Sequence, residues 1–208
     1  FLSNKGFMET INFPFSALKS KDSILIDNPL DSNKNHLRLS LKENLLENLL
    51  YNERRQKESI KFFEVSDIYK RNATISRLGI IATGRVDNNL RDFSRKIDNS
   101  YLNSLLADLP VEVKFDVIPR ETLDTKKSSK IFYAEIDIAE IKDTLFIEDS
   151  SIDNEKTFID YKPISEYPCS IRDFSFSIKD LSKADEVIRY FENLEEKHLK
   201  ECFLFDFY

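Results

Sequence analysis

The sequence predicts an α+β protein, a mainly antiparallel sheet with flanking helices, from three observations. Two leucine-rich segments carry apolar residues at helical spacing, and several short apolar or alternating runs lie between and around them. Near Pro163 the pattern changes to a strand–helix–strand unit of its own. With 208 residues, 41% of them hydrophobic, the chain has enough apolar surface for a packed core. No apolar run approaches the roughly 20 residues of a membrane span.

The elements follow in chain order. GFMETINFPFS, residues 6–16, alternates partly through Phe7, Glu9, Ile11 and Phe13 and predicts a strand or strand pair up to Pro14. ILIDNPLDSNKN is a short strand running into the turn that Asn28-Pro29 imposes. The clearest helix comes next. Ser40 and Glu43 have the spacing of a capping box, and Leu41, Leu45, Leu46, Leu49 and Leu50 share one face. That face must be buried against a sheet or a partner helix, and the sequence leaves both open. Arg54 and Arg55 close the helix where its dipole favours cations.

IKFFEVSDIYKR reads as a strand, and RLGIIATG, almost wholly apolar, as a central one. NSYLNSLLADL gives a second helix, striped by Tyr101, Leu102, Leu105, Leu106 and Leu109. VEVKFDVIP and KIFYAEIDIAEI read as alternating strands with polar residues on their second face. Beyond Pro163, Phe174, Phe176 and Ile178 alternate with serines. Ser182 is placed to cap a helix lined by Ala184, Val187, Ile188, Phe191 and Leu194, and Phe203, Phe205 and Phe207 mark a closing strand. Two strands and one helix bury too little to stand alone, so further strands are expected beyond Tyr208. The domains are thus 1–162 and 163–208, and a chain opening on Phe1 reads as part of a longer protein.

Composition excludes several functions. Three glycines, Gly6, Gly79 and Gly84, cannot build a P-loop or a dinucleotide fingerprint. Cys169 and Cys202 make no disulfide framework and suit a reducing cytosol. His36 and His198 lie too far apart in sequence to suggest a metal site, and Cys202 near His198 reads as a core thiol beside a solvated histidine. Net charge is −6, yet residues 51–96 hold 11 Lys/Arg against 6 Asp/Glu. A basic middle suits phosphates or an ordinary solvated face, and the second reading is preferred on composition.

Three stretches resemble the beta subunit of bacterial-type phenylalanyl-tRNA synthetase. They are GFMETINFPF with NPLDSNKNHLRLSLKENLLENLLYNERR, then KFFEVSDIYK, then YPCSIRDFSFSIKD through LFDFY with Tyr167, Pro168, Arg172, Asp173 and Ser175. Ser66 stands where that family usually has glycine, and 111–130 is short and glycine-free. The resemblance implies a degenerate class II synthetase-like core in 1–162, non-catalytic, followed by the first half of a ferredoxin-like anticodon-binding domain. It implies assembly with an alpha subunit into (αβ)₂, charging of phenylalanine tRNA, and ATP and magnesium held by the alpha subunit in the cytoplasm. No cofactor or metal is expected in this chain, and neither DNA nor a membrane is expected as a partner.

The residues singled out are few. Arg172, Asp173 and Lys179 are the candidate tRNA contacts, against an ion pair that fixes the start of a strand. Leu41, Leu45 and Leu49 are the candidate subunit interface. Arg38 suits a salt bridge better than a remnant adenylate site. Arg54, Arg55 and Lys57 read as solvated helix-end cations before tRNA contacts. Phe203, Phe205 and Phe207 read as core before a base-stacking platform. The alternative function is a stand-alone α+β protein-interaction module with no RNA role.

Overall fold

The structure is a computed structural model that describes residues 1–87, 95–141, 161, 163, 165–180, 183–199 and 202. It divides into two compact units, Phe1–Leu145 and Phe146–Phe207, ahead of the pattern change at Pro163. Among the described residues no helix is long and apolar enough to cross a membrane.

The first unit is built on a five-stranded sheet in the order β1-β4-β5-β7-β6. Its strands are β1 (Met8–Glu9), β4 (Ser59–Lys70), β5 (Ala73–Gly84), β6 (Asp116–Ile118) and β7 (Ile131–Asp137). β1 runs parallel to β4 and every other pairing is antiparallel. A second, two-stranded sheet joins β2 (Phe15–Ser16) to β3 (His36–Leu37). The β4–β5 hairpin sets the frame, twelve residues on each side with Lys70 opposite Ala73 across a tight turn. β5 lies at the centre, and its residues from Leu78 to Thr83 are all buried, as an uninterrupted apolar run requires.

Period-two alternation sends β4, β5 and β7 side chains to two cores. Ile60, Phe62, Ile81, Ile131 and Tyr133 meet Leu41, Leu45 and Leu49 of helix α1 (Lys42–Glu53) on one face. Phe63, Leu78, Ile80, Phe132 and Ile136 meet Leu102 and Leu106, from helix α2 (Asn99–Leu105) and its end, on the other. The unit is therefore helix, sheet, helix. The three leucines of α1 are 0% exposed, and burying each contributes about 2 kcal/mol. This decides the question the sequence left open: the leucine face packs on the chain's own sheet. Leu41, Leu45 and Leu49 consequently have no surface to offer a subunit, which corrects that expectation.

Three further expectations are corrected. The capping box does not form, because Glu43 turns to the Ser16 hydroxyl and the Ala17 N–H (3.2 Å). β7 is buried on both faces, since it lies inside the sheet between β5 and β6. The VEVKFDVIP strand shrinks to Asp116–Ile118, its preceding apolar residues Val111, Val113 and Phe115 packing edgewise on the α2 core.

The second unit contains helix α3 (Ala184–Glu192). Phe174 and Phe176 place their ring centroids 6.3 and 5.7 Å from that of Phe191, so this segment packs toward α3 as the alternation suggested. Residues 171–178, however, form no strand with described residues. Ser182 and the strand of Phe203, Phe205 and Phe207 lie outside the described residues. Cys169 and Cys202 are both exposed, so Cys202 is not a core thiol.

Candidate functional site

Sheet register places Glu64 of β4, Gly79 of β5 and Glu135 of β7 in one row beneath the start of α1. An unpaired buried carboxylate is costly, so each must have partners. Glu64, 1% exposed, takes the Arg38 guanidinium at 2.8 Å and the Asn12 amide at 2.8 Å. Arg38 also donates from Nε to the Asp67 carbonyl (3.0 Å) and from NH1 to Asn44 Oδ1 (3.3 Å). Arg38 is thus a salt-bridge residue, as read from the sequence.

Glu135 accepts from the Ser40 hydroxyl (2.6 Å), the Leu41 N–H (3.1 Å) and the Tyr133 hydroxyl. A carboxylate from β7, ninety-odd residues downstream, therefore satisfies a free amide at the start of α1, the position its dipole makes favourable for a negative charge. Burial, reinforced by the charge of Glu135, raises the Tyr133 pKa well above its ordinary 10.0. A proton held more tightly in the folded state gives stability that is complete below pH 10.0 and is lost as pH rises beyond it. Tyr133→Phe is expected to cost about 1–2 kcal/mol near neutrality and to flatten the alkaline fall of the urea midpoint. An equally steep alkaline fall in that variant would remove Tyr133 as its source.

The same network holds the N-terminal segment on the outside of the fold. Thr10 N–H donates to the Phe63 carbonyl (2.8 Å), Asn12 bridges Glu64 and Asn48, and the Pro14 carbonyl accepts from the Arg38 N–H (2.9 Å). Backbone and polar side chains are fixed inward, and apolar side chains are left outward. Ile11 is 93% and Phe13 77% exposed, with Phe13 stacked parallel to Phe15 at 6.2 Å, and Leu18, Leu25 and Leu30 are exposed nearby in sequence. The segment thus holds apolar side chains open to water by fixed hydrogen bonds. The alternation of residues 7–13 hinted at it, but only tertiary hydrogen bonds show which face is outward.

A separate cleft of about 400 Å³ lies where α1 ends and at the open end of the β4–β5 hairpin, away from its turn, lined among others by Lys57, Glu58, Gly84, Arg85, Lys96 and Lys127. Gly84 is indispensable to its floor. Its φ is +91°, and a Cβ there would lie 1.8 Å from the Glu58 carbonyl oxygen. Glu53, 7% exposed, is held by Arg120 through two hydrogen bonds of 2.7 and 3.0 Å. Glu58 lies 3.1 Å from Arg85 and 3.7 Å from Lys127.

The remaining residues predicted as sites belong to the second unit. Arg172, Asp173 and Lys179 are all exposed, and the Arg172 guanidinium donates to the Ile171 carbonyl at 2.8 Å. They share one stretch of chain.

Comparison with known proteins gives a consistent result. The family model described as phenylalanyl tRNA synthetase beta chain CLM domain matches residues 1–142. The phenylalanine–tRNA ligase beta subunit of Wigglesworthia glossinidia brevipalpis is 26% identical over all of this chain and 30% of its own length. That of Buchnera aphidicola is 27% identical over all of this chain and 31% of its own length. A pyrrolysyl-tRNA synthetase structure from Desulfitobacterium hafniense overlaps 67% of this chain and 63% of that one at a TM-score of 0.45 and 13% identity. The chain spans about a third of the length of the curated relatives it matches. With the family match covering the helix–sheet–helix unit from its first residue through β7, the chain belongs to the phenylalanyl-tRNA synthetase beta-chain CLM-domain family.

Proposed function

We propose that the chain is a non-catalytic segment of the beta subunit of a phenylalanine–tRNA ligase. It would assemble with an alpha subunit in an (αβ)₂ enzyme of the cytoplasm that charges phenylalanine tRNA with the use of ATP and magnesium, both held by the alpha subunit. The observation that carries this reading is the family match over residues 1–142, together with beta subunits that align along the whole chain. The packing supports a non-catalytic role. The sheet face at Gly79 is covered by Leu41 and Leu45, whose atoms lie within 3.1 Å of where a Cβ would stand. A substrate has no room on that face. The exposed Ile11 and Phe13 supply the apolar surface that assembly needs. The second unit, with Arg172, Asp173 and Lys179, is then the part that faces the anticodon.

Purified alone, the chain is expected to charge no tRNA and to exchange no pyrophosphate with ATP. Either activity in the isolated chain would sink the reading. Ile11→Asp with Phe13→Asp should leave folding intact and weaken association with the alpha subunit at least about tenfold, the equivalent of losing one central apolar contact of about 1.4 kcal/mol. A stand-alone interaction module, the second reading, is also served by an exposed apolar face. It predicts no affinity for the alpha subunit and none for tRNA, so the same binding measurements separate the two.

A further inference from the structure

We propose that the cleft at the end of α1 binds the phosphodiester backbone of RNA. This rests on the ligase reading and adds to it a contact in the first unit, apart from the anticodon-facing residues of the second.

Charge balance is the first argument. The two carboxylates of the cleft are each matched by cations, Glu53 by Arg120 and Glu58 by Arg85 and Lys127. Glu53 also accepts from the Thr125 hydroxyl at 3.1 Å, and Arg120 donates to Thr83 Oγ1 at 2.9 Å, so the interior is polar, filled and neutral. Lys57 and Lys96, both exposed, have no acidic partner among the described residues. The lining therefore carries a net positive charge in a protein whose overall charge is −6. A cationic concavity of this kind concentrates anions against the average field of the molecule.

The surroundings favour RNA over a small phosphate. The cations come from four separate segments lining the cleft, and with Arg85 and Lys127 already engaged by Glu58, Lys57 and Lys96 are the ones left to meet an added anion. Beyond the mouth, at the end of α1, the Arg55 guanidinium lies 3.3 Å from the centre of the Tyr51 ring, which is 54% exposed. Cations lining a cleft at the end of α1, with an exposed aromatic–guanidinium stack on the same helix end, supply the two elements that recognition of a nucleic acid strand uses, charge for the phosphates and a flat surface for a base.

The test uses the full chain in complex with the alpha subunit and phenylalanine tRNA as probe, titrated across a salt series. Lys57→Ala with Lys96→Ala is expected to raise Kd at least about tenfold at about 50 mM salt and to make the slope of log K against log salt shallower by between about one and two. A control that removes two exposed lysines elsewhere, Lys70→Ala with Lys114→Ala, should change neither by more than about twofold. Both double variants should melt with the unaltered complex, since every substituted side chain is exposed. An unchanged Kd and slope in the cleft variant overturns the proposal. So does competition by inorganic phosphate beyond that of chloride at equal ionic strength, which would identify a small-anion site. If the unaltered complex neither binds nor charges tRNA, the ligase reading itself falls. If it does both and the cleft variant binds equally well, only the cleft assignment falls.

Discussion

Arg38→Met is expected to destabilise the first unit by about 3–5 kcal/mol, the cost of leaving one half of a buried ion pair alone. The geometry explains the size. Arg38 and Glu64 are each 1% exposed and 2.8 Å apart, so removing the guanidinium strands a carboxylate that water cannot reach. Glu64→Leu alone should cost a similar amount by stranding the cation. The double variant Arg38→Met with Glu64→Leu should recover at least about half of either loss, because a matched apolar pair carries no desolvation penalty. Urea unfolding of the full chain gives all three values. If the double variant were as unstable as the sum of the singles, the pair would contribute no coupling and the account would be wrong. A second consequence separates this pair from an ordinary core contact. The Arg38 backbone N–H holds Pro14 and the Glu64 carboxylate holds Asn12, and together they set Ile11 and Phe13 on the surface. In Glu64→Leu, which loses the Asn12 contact, affinity for the alpha subunit should therefore fall even in the folded fraction, whereas Arg38→Met keeps its backbone bond to Pro14.

Local patterns in the sequence carried much of this fold. The leucine spacing of α1 and the apolar run of β5 each survive because one face, or both, is buried whatever the neighbours are. What the sequence could not show was which residue answers which across the fold. Ser40 and Glu43 have capping-box spacing, yet Glu135 does the capping and Glu43 holds Ser16 and Ala17, since a strand ninety-odd residues away in sequence comes nearer than the local partner. Gly79 was useful in the sequence only as one of three glycines too scattered for a phosphate loop. The leucine face of α1 could have met a sheet or a partner, and only the register of β4, β5 and β7 decides it. The cleft is the hardest case. Its cations stand at positions 57, 85, 96 and 127, and the excess of Lys/Arg in 51–96 was its sole trace. The exposed apolar segment left a fainter one still, since alternation in residues 7–13 shows two faces but not which of them is turned to water.

Gly79→Ala is expected to cost about 1–3 kcal/mol by overpacking, the reverse of the small gain usual when a strand glycine acquires a side chain. Gly79 is an ordinary extended residue, so no backbone conformation demands glycine there. Space does. A Cβ would stand 2.7 Å from Leu45 Cδ1 and 3.0 Å from Leu41 Cβ. Leu45 can turn its end aside, but the Leu41 Cβ moves only if the helix moves. Lifting α1 would stretch the 3.1 Å bond from the Leu41 N–H to Glu135, so packing and capping are lost together. Leu45→Ala alone should cost about 2–5 kcal/mol through the cavity it leaves. In that background Gly79→Ala should cost less than in the unaltered chain, by at least about 0.5 kcal/mol, as the new methyl fills part of the space. Strict additivity of the two substitutions in urea unfolding would show that α1 does not rest on β5 at this glycine, and would reopen the sheet face that the non-catalytic reading treats as closed.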